Sequence, residues 1–355
     1  MKKIIAVVSC VLLLSACFIP CASAAKTGSF SVLCYIVAGL PDISFLTGGE
    51  SVDVQQNQID IAKFVVDGGY DIFATQEDFG YHDSLAGNLT GYNYATIHHG
   101  GIPCGDGTNV FTKSMAIYNE EHIPWDTLYG VADNGADEYS QKGVTYVCIE
   151  LADGIYLDFY DLHADAYGDA GSVAARRDNW RQLAEILDNR TVDRPLIITG
   201  DFNTYLYPDD SDLMQSVVKK CGLKDSWTEV LNGGDYTGTA NFLETYPEYK
   251  SIAKWGKWDS VERFFYKDGG GVTLTADSFE YITILNRKGV SCSDHSACAG
   301  TFTYTVTGTN TTGEGELEVV KADGFAELIR RIRTFFEALI LAFENIDALL
   351  AYVGL

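Results

Sequence analysis

Between Gly28 and Thr305, short apolar runs alternate with amphipathic ones, and this alternation constrains the fold more than any other feature of the chain. The runs at 30–37, 72–75, 114–118, 145–151, 155–162, 196–199, 261–266 and 297–304 read as strands whose apolar residues need cover on both faces. Segments 57–67, 172–189 and 210–219 read as helices, the second placing Trp180, Leu183, Ile186 and Leu187 on one core-facing stripe. Strands and helices in alternation predict a layered α/β domain. With 355 residues, 46% of them hydrophobic, the chain has enough material for a full core.

Both ends stand apart from this pattern. Met1-Lys2-Lys3, the apolar stretch 4–14 and Ala22-Ser23-Ala24 have the positive, hydrophobic and small-residue parts of an export leader, so residues 1–24 are excluded from the fold and secretion is expected. Leu14-Ser15-Ala16-Cys17 offers a competing reading, a lipobox in which Cys17 anchors the mature chain to lipid. The domain is expected over 25–306, and the Gly/Thr-rich stretch 307–324 reads as a linker. Beyond it, Phe325, Leu328, Ile332, Phe335 and Leu339 begin a stripe that recurs by threes and fours as far as Val353, which predicts an amphipathic C-terminal helix over 325–355. Glu337, Glu344 and Asp347 interrupt it, so it does not read as a bilayer span; docking on the domain, self-association and contact with a membrane surface are the roles left to it.

The charge balance narrows the partners. Asp and Glu number 49 against 25 Lys and Arg, a formal charge of −24 that becomes −26 once Lys2 and Lys3 leave with the leader. Such a surface opposes sequence-independent binding to nucleic acid phosphates or anionic lipid. Cys34, Cys104, Cys148, Cys221, Cys292 and Cys298 lie beyond the leader, an even set that permits a bridge, for instance at Cys292 or Cys298. No CxxC pair or Cys/His ladder appears, which argues against a zinc site.

Chemistry-bearing residues gather just past the predicted strands, where open sheets present functional side chains. The segments are CYIVAGLP (34–41), FATQED (73–78), YDLHADA (160–166), IITGDFNT (197–204) and CSDHSACAGTF (292–302). Glu77, Asp201, Asn203 and Asp294 offer hard oxygen donors of the kind that hold Mg²⁺, an ion that keeps several waters for a substrate phosphate. His295 beside Asp294 is placed for general-base work, and His163 for the opposite side of a scissile phosphate.

In their order and spacing, the QE, GDFN and SDH segments resemble the endonuclease/exonuclease/phosphatase superfamily over residues 29 to 305. The resemblance implies a four-layer α/β sandwich with two central mixed sheets, and a divalent-metal phosphoesterase site at their mouth. It implies Glu77 as principal metal ligand and Asp294 as the metal-proximal aspartate, with Mg²⁺ (or Mn²⁺) as the ion. It further implies His163 and Asn203 on phosphate oxygens, Asp201 aligning the water, His295 activating it, and an acid behind His295. For that acid VERFFYKDG offers Glu262, with Asp259 as rival. One position departs: the family's first motif carries a metal-ligand Asn where this chain has Ile36, which implies weakened metal binding.

Substrate choice is less legible. The VAGLP tail and the Lys142-Gly143 pair are similar to the neutral sphingomyelinase-like branch, in which Lys142 would neutralise substrate phosphate. The aromatic-rich stretch 236–258, with Tyr236, Phe242, Tyr246, Tyr249, Trp255 and Trp258, suits either local packing or cover for a lipid headgroup. The expectation is therefore a phosphodiesterase acting on a phospholipid. A secreted nuclease is the alternative; Arg176, Arg177 and Arg181 are the only basic group near a motif, and their helical spacing also fits a solvated face. A binding protein on the same fold is the third reading, motivated by Ile36. No protein partner can be identified.

Overall fold

The computed structural model describes residues 26–40, 52–101, 105–131, 137–205, 213–236 and 260–307. The leader, most of the aromatic stretch together with Asp259, the linker and the C-terminal helix expected over 325–355 lie outside the described residues.

Two six-stranded mixed sheets form the centre. The first contains β1 (Lys26–Ile36), β2 (Ile72–Gln76), β3 (Tyr94–Ala95), β4 (Asn109–Thr112), β11 (Val272–Ile282) and β12 (Ala297–Val306), in the order β11-β12-β1-β2-β4-β3. The second contains β5 (Ile117–Pro124), β6 (Gly143–Ala152), β7 (Ile155–His163), β8 (Leu196–Asp201), β9 (Lys224–Asp225) and β10 (Glu262–Lys267), in the order β5-β6-β7-β8-β10-β9. Only β1/β2 and β7/β8 pair in parallel. Each parallel pair is bridged by a helix, α1 (Val54–Gly68) and α3 (Ala170–Asp188), while α2 (His82–Ala86) and α4 (Ser226–Leu231) are short.

The alternation along β1 builds the layers. Leu33, Tyr35 and Val37 turn outward and pack with Ile61, Ala62 and Val65 of α1. Phe30, Val32 and Cys34 turn inward to the large core shared with the second sheet. The two sheets meet at Phe264 of β10 and Phe302 of β12, whose rings lie edge to face with centroids 5.8 Å apart. On the far side Trp180, Leu183, Ala184 and Leu187 of α3 cover the second sheet. Helix starts are fixed locally: Asp53 accepts from the Gln56 amide, and Asp169 from those of Gly171 and Ser172. The result is the α/β/β/α sandwich expected.

Differences from the sequence reading have physical reasons. The strand expected at 114–118 begins at Ile117 and runs to Pro124, through the polar residues of an edge strand. β11 escaped notice because its burial alternates and a bulge between Ala276 and Ser278 breaks the period. β4, though wholly buried, is only four residues long. Cys34, Cys148, Cys221, Cys292 and Cys298 are free, buried thiols, so the described residues contain no bridge at Cys292 or Cys298.

Candidate active site

Three neighbouring strands of the second sheet end in one row. Asp201, last residue of β8, is paired in register with His163 at the end of β7 and with Glu262 at the start of β10. In-register neighbours project to the same face, so the backbone alone sets these three side chains together. His163 Nε2 lies 3.4 Å from Asp201 Oδ2. Asn203, two residues on, takes a left-handed φ of 47°, which Asn tolerates better than most residues. That bend lets its amide group donate to Asp201 Oδ2 and to the Ala164 carbonyl, both at 3.0 Å, while its backbone N–H donates to Asp201 Oδ1 at 2.7 Å.

His295 closes the group from the loop before β12. Its Nδ1 meets Glu262 Oε1 directly, and the Ser260 hydroxyl donates to the other oxygen of Glu262. The same carboxylate therefore orients the ring and is itself held, and Nε2 of His295 is left as the nitrogen available for proton exchange. Burial disfavours charge on His295, but Glu262, then Asp201 and Asp294, outweigh it and push the ring up to about 10. Burial likewise opposes the charge on Asp201, yet His163, His295 and the Asn203 amide bring it down to about 2. Asp294 itself is exposed beside this ring.

The first sheet faces this row with less chemistry. Ile36 ends β1 in register with Gln76, is 1% exposed, and continues the inward face of Phe30, Val32 and Cys34. An aliphatic side chain thus stands on the inner face at the mouth, where the resembled family has an amide. Glu77 follows β2, half-buried, in a left-handed conformation with φ 58°. Its backbone carbonyl accepts from Gly39 and Phe79, whereas its carboxylate has no hydrogen-bond or ion-pair partner among the described residues. Behind it Gln76 donates to Asp161 Oδ1 at 2.5 Å and accepts from the Cys34 thiol at 3.5 Å. Burial, and then Cys34, push the Asp161 carboxyl well above the ordinary range.

Lys142 is buried and paired with Asp137, and its Nζ also approaches the Ala164 carbonyl, the oxygen that Asn203 uses. The structure thus puts Lys142 behind the His163 loop with its charge already countered. Arg176, expected on a solvated face, instead donates to Thr204 Oγ1 at 3.0 Å and to the carbonyls of Asp165, Ala166 and Tyr167. It laces the loop after His163 to the loop after Asp201. Trp125 donates to the His163 carbonyl at 2.7 Å. Neither residue has a local sequence signal, since each acts through backbone carbonyls; Asp161 had one, a charge inside an apolar strand. Tyr236 is a packing residue: its hydroxyl accepts from the Asp225 amide and donates to Glu229.

These residues accommodate a hard dication within limits. The Glu77 carboxylate has no competing partner, and oxygen donors are the right type for Mg²⁺. Ile36 supplies none, so the donor set is thinner than the resembled family's.

A family model for the endonuclease/exonuclease/phosphatase family matches residues 48–295. A sphingomyelinase of Mycobacterium tuberculosis is 29% identical over 287 residues, covering 78% of this chain and 53% of the relative, so the chain spans about half the length of the curated relatives it matches. Sphingomyelinase C from Streptomyces griseocarneus superimposes with a TM-score of 0.51 at 17% identity, over 79% of this chain and 100% of that one. D. rerio TDP2, solved with a single-strand DNA product, does so with a TM-score of 0.54 at 15% identity, over 78% and 99%.

Proposed function

The chain belongs to the endonuclease/exonuclease/phosphatase family, and on that premise we propose that it is an exported, divalent-metal-dependent phosphodiesterase acting on a phospholipid headgroup in the manner of a sphingomyelinase. The observation that carries the reading is the row His163, Asp201, Glu262 with His295 and Asn203 attached. Charge, the leader and the curated relatives favour a zwitterionic lipid over nucleic acid, and Arg176, committed to carbonyls, is not laid out as a phosphate-backbone contact.

Glu262 fixes the tautomer of His295, directing Nε2 at a water that Asp201 and Asn203 align against phosphorus. His163 would hold a non-bridging oxygen as a donor where charge develops, and Asn203, whose amide hydrogens go to Asp201 and the Ala164 carbonyl, keeps Asp201 in place beside it. Lys142, its charge countered by Asp137, steadies the His163 loop through the Ala164 carbonyl. Glu77 would hold Mg²⁺ (or Mn²⁺), which when bound would supply positive charge for the developing oxyanion. Asp294 lies beside His295 as a further oxygen donor. Export rests on the leader, with lipid attachment at Cys17 as the variant form.

Ile36 favours a second reading, a catalytically impaired binding protein on the same fold. One assay separates them: Mg²⁺-dependent release of headgroup from sphingomyelin vesicles, beside single-stranded DNA, by wild type and by folded His295→Ala. Lipid turnover that needs both metal and His295 supports the proposal. DNA turnover alone moves the substrate to nucleic acid, and none on either substrate supports the binding protein.

A further inference from the structure

The chain has six histidines, and the row described above uses two. The other four gather on the far side of the Glu77 turn, in two clusters: Asp78, His82 and His98, and His99, Asp106 and His122. The two clusters differ in what their geometry accepts.

In the first, Asp78 Oδ2 already takes two donors, His82 Nδ1 at 2.7 Å and Asn109 Nδ2 at 3.1 Å. The rings of His82 and His98 stack with centroids 3.9 Å apart and planes within 2° of parallel, so their lone pairs lie in separate parallel planes. This cluster is satisfied as a hydrogen-bonded stack.

In the second, the rings of His99 and His122 meet at 79°, and both turn Nδ1 toward the same oxygen, Asp106 Oδ2. His122 Nε2 lies 3.1 Å from the Gln141 carbonyl, which can only accept, so that nitrogen carries a proton. In the neutral ring Nδ1 then presents a lone pair, with the Thr145 hydroxyl 3.5 Å away and a carboxylate oxygen, Asp106 Oδ2, nearer at 3.3 Å. That separation is long for a hydrogen bond, but it is the ligand-to-ligand spacing of a tetrahedral ion with bonds of about 2.0 to 2.1 Å. Asp106 Oδ1 is turned away and held by the Thr108 amide at 3.0 Å. A second ring nitrogen on a carbonyl and a second carboxylate oxygen on an amide are the outer supports that metal ligands characteristically have.

The geometry points to a second metal site, in which His99 Nδ1, Asp106 Oδ2 and His122 Nδ1 bind a zinc-class transition ion, with a fourth position left to water. Two imidazoles and one carboxylate select such an ion over Mg²⁺. Binding requires the His99 ring to draw back from Asp106. The site escaped the sequence reading because it contains no cysteine and its ligands have no short motif spacing. It is independent of the phosphodiesterase reading, though it sits beneath it: the Gly107 carbonyl accepts from the Asp78 amide at 3.0 Å, and a Cβ on Gly107 would lie 3.1 Å from the Glu77 nitrogen. An ion here braces the turn that carries Glu77.

The test uses the full chain. Zinc retained after exhaustive dialysis against Mg²⁺ buffer is counted by mass spectrometry, and Co²⁺ is titrated into stripped protein by visible absorption. We expect one tightly held ion per chain and the intense bands of low-symmetry cobalt. In His122→Gln, which keeps a donor for the Gln141 carbonyl, and in Asp106→Asn, affinity falls by about 100-fold or more, while His82→Gln and Glu77→Gln leave it unchanged. If the ligand variants do not fold, zinc-edge absorption of the wild type decides, since it must show two imidazoles in the first shell. No retained ion, a single-imidazole or all-oxygen shell, or an ion lost with Glu77→Gln or His82→Gln overturns the assignment.

Discussion

The two sheets meet at the mouth with unequal equipment. The second sheet brings His163, Asp201 and Glu262 in register, and each is tied to another site residue or to a neighbouring loop. The first brings Ile36, which ligates nothing, Glu77, whose carboxylate has no partner among the described residues, and, from the loop before β12, His295, which leans on Glu262 of the second sheet. The groups proposed to move protons and hold phosphate are thus gathered around the second-sheet row, while the proposed cation site rests on few ligands.

The contrast can be tested from both sides. The largest effect is expected at His295, which reaches the second-sheet row from the loop before β12: His295→Ala should lower Mg²⁺-dependent hydrolysis of a generic diester by about 10²- to 10⁴-fold without loss of helical circular dichroism. A rate near wild type would remove His295 from proton transfer. On the first sheet, Ile36→Asn should lower the Mg²⁺ concentration for half-maximal rate by about 10- to 100-fold, by restoring an amide to the ligand shell. An unchanged requirement would show that the thin half is not thin through Ile36.

Arg176→Ala tests the lacing between the loops, and should cost about 2 kcal/mol of unfolding free energy by urea titration, together with part of kcat. Loss of stability with kcat intact would make it a packing residue only. The smallest effect concerns Asp165, buried near Lys142, whose carboxyl burial and then Asp137 push up to about 7. Its folded value lies above the unfolded value of about 4, so the folded chain binds the extra proton and wild-type stability falls as pH rises from about 4 to about 7. Asp165→Asn should therefore match wild type near pH 4 and exceed it at pH 8. Denaturation curves that stay parallel across this range would contradict the assignment.

Much of this was legible in the sequence, for reasons that differ by residue. Buried central strands such as β7 and β8 announce themselves by unbroken apolar runs, and their ends mark where His163 and Asp201 stand. Glu262 was readable as one of two acids, and the structure sets it against His295, while its rival Asp259 lies outside the described residues. What the sequence hid were relations carried by the backbone. The carbonyls that Arg176 collects, the stance of Trp125 under His163, and the convergence of His99 and His122 on Asp106 depend on loop paths that no residue type specifies. β11 was hidden by its bulge, and Lys142 by an ion pair with a residue only five positions away but across a turn.

The pairing of β1 with β12 sets the order in which this domain can be completed during synthesis. Lys26 lies opposite Val306 and Cys34 opposite Cys298, so β1 finds one of its two neighbours only when β12, more than 260 residues on, has left the ribosome. Until then β1 offers an open edge to β2 alone, and closure over so long a separation is slow. A nascent chain held open in this way can pair β7, β8 and β10 but lacks the complete first sheet that faces them, so the mouth between the sheets is completed in one step by β12.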